Sequence, residues 1–208
     1  MAGTNVISLI SGIIDTVEAT AEDYNVINND KTLPEAFHRA GQGLSIVGEA
    51  LKTAKIRLQG RDQAGDPQSV ISTLEACNAK TKLSQGIFEQ VSQAPETSRF
   101  ERYEAVMRRG SRGNLVEVLV VGIMKDTCTL AKDSAIEVAM EPEIKALRDA
   151  IDTLSKMEPS MPDERSGSTF SHFGSGTQFN ATGGTQNNNV GSGKQFLGDI
   201  KGETVTFN

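Results

Sequence analysis

The sequence is poor in cysteine, histidine and aromatic residues, and it contains no tryptophan. Its 208 residues include two cysteines, two histidines, two tyrosines and eight phenylalanines. Cys77 and Cys128 lie far apart within helical patterns, so we expect no structural disulfide and a reducing, intracellular setting. His38 and His172 fall in different regions, which argues against a histidine-based metal site or nucleophile. We therefore predict an aliphatic core and no cofactor.

Charge and motif spacing argue against nucleic-acid binding and catalysis. The formal net charge of −6 disfavours general nucleic-acid contact. The N-terminus lacks the basic region of a secretory signal, so none is predicted. Residues 190–194 (VGSGK) resemble a phosphate loop, but Gln195 stands where Ser or Thr is required and no strand precedes. Gly41, Gly43 and Gly48 lack dinucleotide-binding spacing and lie within a helical pattern. We predict that the chain is not an enzyme.

Apolar residues recur at helical spacing through the first three quarters of the chain, and no segment there alternates with period two. The predicted helices span residues 4–22, 34–59, 67–93, 99–109, 115–130 and 136–154. Asn114 is the expected cap of the fifth helix. The expected inner face of the third consists of Val70, Leu74, Cys77, Leu83, Ile87 and Val91, and Val138 is placed on the last helix. The predicted fold is an all-α helical bundle over residues 1–160, a linker over 161–173 and a motif region over 174–208.

The first helix carries a wide apolar stripe. The stripe consists of Val6, Ile7, Leu9, Ile10, Ile13, Ile14 and Val17. Such a helix packs into a bundle, and in a second state it can also enter a bilayer. It is too short and too interrupted to be a stable span alone, which needs about 20 mostly apolar residues.

The C-terminal region repeats Gly-x-Gln phrases rich in amides and glycine. Its candidate residues are Gln178, Phe179, Asn180, Gly183, Gly184, Gln186, Asn187, Asn188, Asn189, Gly193, Gln195 and Phe196. Such a composition buries too little apolar surface to fold alone, so a single copy should be disordered. Identical copies stacked in register form amide ladders and stacked Phe rings, so the tail is also amyloid-competent. The other interpretation is a flexible linker.

Five arginines cluster near one helix end of this acidic chain: Arg99, Arg102, Arg108, Arg109 and Arg112. One interpretation is contact with anionic lipid headgroups. The other is intramolecular pairing, because Glu101 and Glu104 lie close by.

Several phrases carry a resemblance to a known family. They are Leu33-Pro-Glu-Ala-Phe37, Ser98-Arg-Phe-Glu-Arg-Tyr103, Gly113-Asn-Leu-Val-Glu-Val-Leu119 and Pro159-Ser-Met-Pro-Asp-Glu164, together with the Ile-rich opening helix. With them the helical region resembles the fungal SesA, or HeLo-like (HELL), domain. That domain is similar to the membrane-permeabilising four-helix domain of the necroptosis effector MLKL. The tail resembles fungal prion-forming motifs of either the sigma or the pseudo-palindromic class.

The resemblance implies a fungal programmed-cell-death effector. A NOD-like receptor with a NACHT or NB-ARC ATPase and a matching motif would template amyloid folding of the tail. The activated homo-oligomer would then move from the cytoplasm to the plasma membrane, contact anionic lipids and permeabilise it through the first helix. Two alternatives stay open: a non-toxic adaptor that assembles with such receptors through the tail, and a regulatory helical domain with an inert linker.

Overall fold

The described part of the chain is built from α-helices, which confirms the all-α prediction. In this computed structural model the described residues are 2–59, 67–109, 115–134 and 136–161, and none of these lies in a strand. The helices are α1 (Ala2–Ile27), α2 (Glu35–Leu58), α3 (Pro67–Ser92), α4 (Arg99–Arg109), α5 (Val116–Asp133) and α6 (Glu141–Lys156). Short 3-10 turns at Glu96–Ser98 and Val138–Met140 precede α4 and α6.

Four of the helices form a closed ring around the core. Helix α1 packs against α3 and α2, and α5 packs against the same two helices from the other side. Helix α6 covers α2 and α5, while α4 lies against α3. Each helix contributes an apolar face, so burial of these faces is the main stabilising term. The arrangement confirms the predicted bundle and adds two outer helices to a four-helix core.

Helix α1 extends five residues beyond its predicted end at residue 22. Its apolar face continues through Tyr24 and Ile27, both of which are buried. The polar Thr20 interrupts the apolar pattern in sequence, yet it is buried as well. Its hydroxyl donates to the Thr16 carbonyl at 2.7 Å, which satisfies the group inside the helix and permits burial. Thr20 therefore occupies a core position despite its polarity.

The predicted inner face of α3 is wrong at Leu83, which is 49% exposed. The buried positions there are Thr81, Ser84 and Phe88, which continue the three- and four-residue spacing from Cys77. The hydroxyls of Thr81 and Ser84 donate to the carbonyls of Cys77 and Thr81, both at 2.8 Å. A helix buries such hydroxyls cheaply when its own carbonyls accept from them, so helical phase outweighs residue polarity.

The last predicted helix is shorter than expected. Val138 is 91% exposed, because it lies in the 3-10 turn rather than on a helix. Helix α6 begins only at Glu141, where Pro142 occupies an early position that needs no intrahelical N–H bond. The expected core residues Ile144, Leu147 and Leu154 are buried, as predicted.

The core of α5 follows the prediction, although its start differs. The helix begins at Val116 with Leu115 at the N-cap position, and Leu115 makes no capping hydrogen bond through its side chain. Asn114, the predicted cap, lies outside the described residues. The expected apolar residues Val116, Leu119, Val120, Ile123 and Met124 are all buried.

Candidate functional site: the first helix and its anchors

The apolar stripe of α1 faces the interior of the bundle. Its five central residues are each at most 6% exposed: Val6, Ile10, Ile13, Ile14 and Val17. Ile7 and Leu9 lie at its edge and are half-buried. In this conformation the stripe contributes to the core, so any other use of it requires α1 to leave its neighbours.

Hydroxyl groups on α1 are satisfied within the helix itself. Ser11 donates to the Ile7 carbonyl and Thr16 to the Gly12 carbonyl, both at 2.8 Å. Thr20 makes the same bond one turn later. Moving α1 as an intact helix therefore leaves these hydroxyls hydrogen-bonded, which lowers the cost of placing it in an apolar medium.

Side-chain hydrogen bonds and ion pairs between α1 and its neighbours begin only in its second half. Glu18 pairs with Lys52 of α2 at 3.0 Å, and Ser92 of α3 donates to Asp23 at 2.9 Å. The Glu18–Lys52 pair is about half exposed, and solvent screens such pairs, so it contributes little to stability. Among the described side chains of residues 5–17, none bonds to another helix, so apolar packing alone holds this half.

One glycine of α2 allows α1 to approach closely, and a second lies at the same interface. A Cβ on Gly41 would lie 2.5–2.7 Å from three ring carbons of Tyr24, which is closer than real Cβ contacts. A Cβ on Gly48 would lie 3.4 Å from Val17 Cγ1, an ordinary contact. Burial raises the pKa of Tyr24, while a hydrogen bond with Gln42 partly offsets the effect. Gly41 is therefore a close-packing position of the α1–α2 interface.

A polar cluster fixes the turn that follows α1. The buried carboxylate of Asp30 accepts from the Thr32 N–H at 3.0 Å, the Thr32 hydroxyl at 2.6 Å and the Arg99 guanidinium at 3.2 Å. The Asp30 carbonyl is 2.8 Å from Nε2 of His38. Burial alone would raise the pKa of Asp30, but the Thr32 and Arg99 bonds outweigh it and hold that pKa below its usual value. The cluster connects α1, α2 and α4.

The arginine cluster divides into different environments. Arg99 is largely buried against Asp30, with side chains 14% and 3% exposed. Arg108 lies 3.8 Å from Glu104, while Arg102 and Arg109 are exposed. Arg112 lies outside the described residues. The structure therefore places Arg99 in an intramolecular role and leaves the other described arginines near the surface.

The tail motif, with the predicted amyloid residues from Gln178 to Phe196, lies outside the described residues. Within the described ranges, no helix is both long enough and apolar enough to cross a bilayer.

Sequence reasoning found the α1 stripe but missed the residues that hold the helix in place. Gly41 and Gly48 were considered only as part of a dinucleotide motif. Their seven-residue spacing on one helix, opposite a buried aromatic, is a signal for close helix packing. Asp30 gave no signal in sequence, because its partner Arg99 lies 69 residues away.

The described residues form an all-α bundle of six helices, and the sequence beyond residue 173 repeats amide-rich phrases. A family model for the SesA N-terminal domain, found on NACHT-NTPases and P-loop NTPases, matches residues 10–130. The chain therefore belongs to the SesA family. A second model, the sigma domain on NACHT-NTPases, matches residues 167–208 and supports the sigma class over the pseudo-palindromic class. No curated protein and no solved structure matches the chain.

Proposed function

We propose that this chain executes a cell-death signal received from a NACHT-type receptor. The receptor, carrying a matching sigma segment, templates cross-β stacking of residues 174–208. Stacking tethers many helical bundles to one fibril and raises their local concentration. Helix α1 then leaves its bundle, and several copies enter the plasma membrane from the cytoplasmic side. Support comes from the two NACHT-associated family matches and from the way α1 is held.

The observation that carries this proposal is the packing of the first half of α1. Five large aliphatic side chains are buried there, and no described side chain of residues 5–17 bonds to a neighbouring helix. Exposing them to water would cost about 1.5–3 kcal/mol each, or roughly 7–15 kcal/mol together. That cost is comparable to the whole stability of a typical domain. Release into water is therefore negligible, whereas transfer to another apolar medium recovers most of the cost.

A bilayer provides that medium, and copies of α1 can share it. One α1 copy is a poor transmembrane helix, because Asp15, Glu18 and Asp23 place charges on its polar face. Several copies brought together can pack their polar faces against each other while their apolar stripes contact lipid. The proposal therefore requires clustering before insertion, which is what stacked tails supply.

Exposed arginines provide the first contact with the membrane in this proposal. Arg102, Arg108 and Arg109 lie on α4, and Arg112 follows in sequence. Each basic residue near an anionic leaflet contributes about 1 kcal/mol. We exclude Arg99 from this role because Asp30 holds it in the resting bundle.

The proposal is tested by adding preformed fibrils of a peptide covering residues 166–208 to the full-length protein with dye-loaded anionic liposomes. We expect fibril growth followed by dye release, with neither step in a chain that ends at residue 173. A lipid-sensitive fluorophore is placed on α1 through Leu9→Cys. A matched chain carries the same fluorophore at an exposed position of α5 through Thr129→Cys. Both use a Cys128→Ser background. We expect the fluorescence to rise only for the α1 label.

Three outcomes contradict the proposal. Fibril growth without dye release or an α1 signal supports the non-toxic adaptor. Absence of fibril growth under seeding removes the templating step and supports an inert linker. Dye release by the truncated chain would show that the tail is not needed for activation.

A further inference from the structure

A buried hydrogen-bonded cluster closes the C-terminal end of the bundle. Ser160 lies beyond α6, and its backbone N–H and its hydroxyl donate to the two oxygens of Glu117 at 2.9 and 2.8 Å. The Tyr103 hydroxyl lies 2.5 Å from the Ser160 hydroxyl. Since that serine already donates to Glu117, Tyr103 must donate to it. All three residues are at most 7% exposed. We call this set the Ser160 cluster.

The N-terminal turn of α5 contributes to this cluster. Glu117 lies in the first turn of α5, where the helix dipole stabilises a negative charge. Burial is the main cause that raises the pKa of Tyr103 above its usual value, so the hydroxyl stays protonated and remains a donor. Every polar group of the cluster therefore has a partner, and losing one leaves others buried and unsatisfied.

Four aromatic rings lead from this cluster to α1. Tyr103 contacts Phe37 with ring centroids 5.0 Å apart, Phe37 contacts Phe88 at 4.8 Å, and Phe88 contacts Tyr24 at 5.8 Å. Each ring comes from a different helix: α4, α2, α3 and α1 in that order. In a chain with few aromatics, four of them form one buried column. Tyr24, at its end, lies against Gly41 of α2.

We propose that the Ser160 cluster and α1 are energetically coupled through the aromatic column Tyr103–Phe37–Phe88–Tyr24. The intact cluster fixes the Tyr103 ring, the packed rings fix Tyr24, and Tyr24 holds the second half of α1 on α2. Opening the cluster loosens Tyr103 and lowers the barrier to departure of α1. Because close-packed rings interdigitate, a shift of one displaces the next rather than being absorbed. The significance for activation rests on the proposed function, whereas the coupling itself is a property of the resting bundle.

The chain's own sequence places this cluster where a signal from the tail would arrive. Ser160 is followed after one residue by Pro162, and Pro159 precedes it. A proline restricts its own backbone and that of the residue before it, so this stretch has little freedom to absorb a displacement. Along the backbone, Ser160 is therefore the cluster residue nearest to the segment beyond residue 162.

The coupling is tested by native-state hydrogen exchange of the full-length protein without lipid or fibril. Ser160→Ala removes one buried hydroxyl bonded to a carboxylate, and we expect about ten-fold faster exchange in the second half of α1. Tyr103→Phe removes the phenolic hydroxyl but keeps the ring, and the same region should respond. The matched control is Thr53→Ala, which removes a hydroxyl bonded to Glu143 at 3.1 Å between α2 and α6, away from the column. We expect that control to leave α1 exchange unchanged.

A double-substitution test addresses the column directly. Phe88→Leu removes the ring between Phe37 and Tyr24, although His38 also contacts both at 5.9 and 6.0 Å between centroids. In this background Ser160→Ala should therefore accelerate exchange in α1 clearly less than it does in the wild-type chain. The inference is overturned if Ser160→Ala and Thr53→Ala change α1 exchange equally, or if the Phe88→Leu background leaves the Ser160→Ala effect undiminished.

Seeded dye release separates this inference from the proposed function. With both correct, Ser160→Ala shortens the delay between fibril growth and dye release. If no chain releases dye while the α1 exchange pattern is as expected, the membrane proposal fails and the coupling stands. If dye release is seen and Ser160→Ala changes neither exchange nor the delay, the coupling fails and the membrane proposal stands.

Discussion

Replacing a glycine of the bundle by alanine should raise or lower stability according to the free space around that glycine. Replacing an interior helix glycine by alanine stabilises a protein by about 0.5–1 kcal/mol, because glycine loses more backbone freedom on folding. A Cβ on Gly12 of α1 or Gly86 of α3 meets no atom within 4 Å, so both positions should show this gain. A Cβ on Gly41 would lie 2.5 Å from the nearest ring carbon of Tyr24, which itself contacts Phe88.

The cost at Gly41 should exceed the gain in helix propensity. Overpacking of this kind costs about 1–3 kcal/mol, and three ring carbons lie under 3.0 Å from the new Cβ. We therefore expect Gly41→Ala to lose about 1–2 kcal/mol net. For a domain of this size 1 kcal/mol corresponds to about 2–4 °C in Tm. Gly12→Ala should thus raise Tm by about 1–4 °C, and Gly41→Ala should lower it by about 2–8 °C.

Helical circular dichroism of the full-length protein during heating measures both changes, with Gly86→Ala as a reference outside the α1–α2 interface. Equal gains for Gly12→Ala and Gly41→Ala would show that Tyr24 does not lie against α2. A lower Tm for Gly12→Ala would show that other residues pack on the face of α1 that is exposed in this structure. Either result would refute the packing on which the release of α1 depends.

Further predictions concern pH, cysteine reactivity and activation. The pKa of Asp30 is lowered in the folded state, so its contribution is present above the unfolded pKa and is lost as the pH falls through the folded value. In urea titrations the stability advantage of wild type over Asp30→Asn should therefore shrink between roughly pH 5 and pH 3, and a constant difference would contradict it. Burial raises the pKa of Cys77 to about 12, whereas Cys128 is only half-buried. Mass spectrometry after maleimide treatment should find one adduct on the native protein and two in urea; two adducts on the native protein would contradict this. Gly41→Ala should also release dye at a lower fibril dose than Gly12→Ala, and equal doses would argue against α1 departure as the limiting step.

How much of the fold could be predicted depended on whether a residue's chemistry matched its burial. The aliphatic stripes of α1 and α5 were found because apolar spacing and burial coincide there. The prediction placed Leu83 on the inner face of α3, but the structure buries Ser84 there and exposes Leu83. Packing sets the helical phase, and the phase rather than residue polarity decides which of the two is buried. The four-ring column was not predicted. Each ring comes from a different helix, so the residues next to it in sequence do not indicate which other rings it contacts. Scarcity of aromatics suggested a purely aliphatic core, yet four of the five Phe and Tyr residues among the described residues belong to it.

The candidate site was predictable only in part, for the same reason. The α1 stripe is a local pattern, and local patterns are visible in sequence. Asp30 with Arg99 and Ser160 with Glu117 are pairs separated by 69 and 43 residues. Such contacts depend on the tertiary arrangement, so a single sequence carries no direct signal for them.

The central claim, that α1 must leave α2, is tested most directly by a reversible covalent bond between the two helices. Val17 and Gly48 suit this purpose, because a Cβ at residue 48 lies 3.4 Å from Val17 Cγ1, the position that the Sγ of a cysteine at residue 17 can take, which brings the two thiols within reach of each other. The chain carries Val17→Cys and Gly48→Cys in the Cys128→Ser background, and tail fibrils are added with dye-loaded liposomes. We expect fibrils to grow in both redox states and dye to be released only after reduction. Equal dye release from the oxidised and reduced protein would contradict the departure of α1.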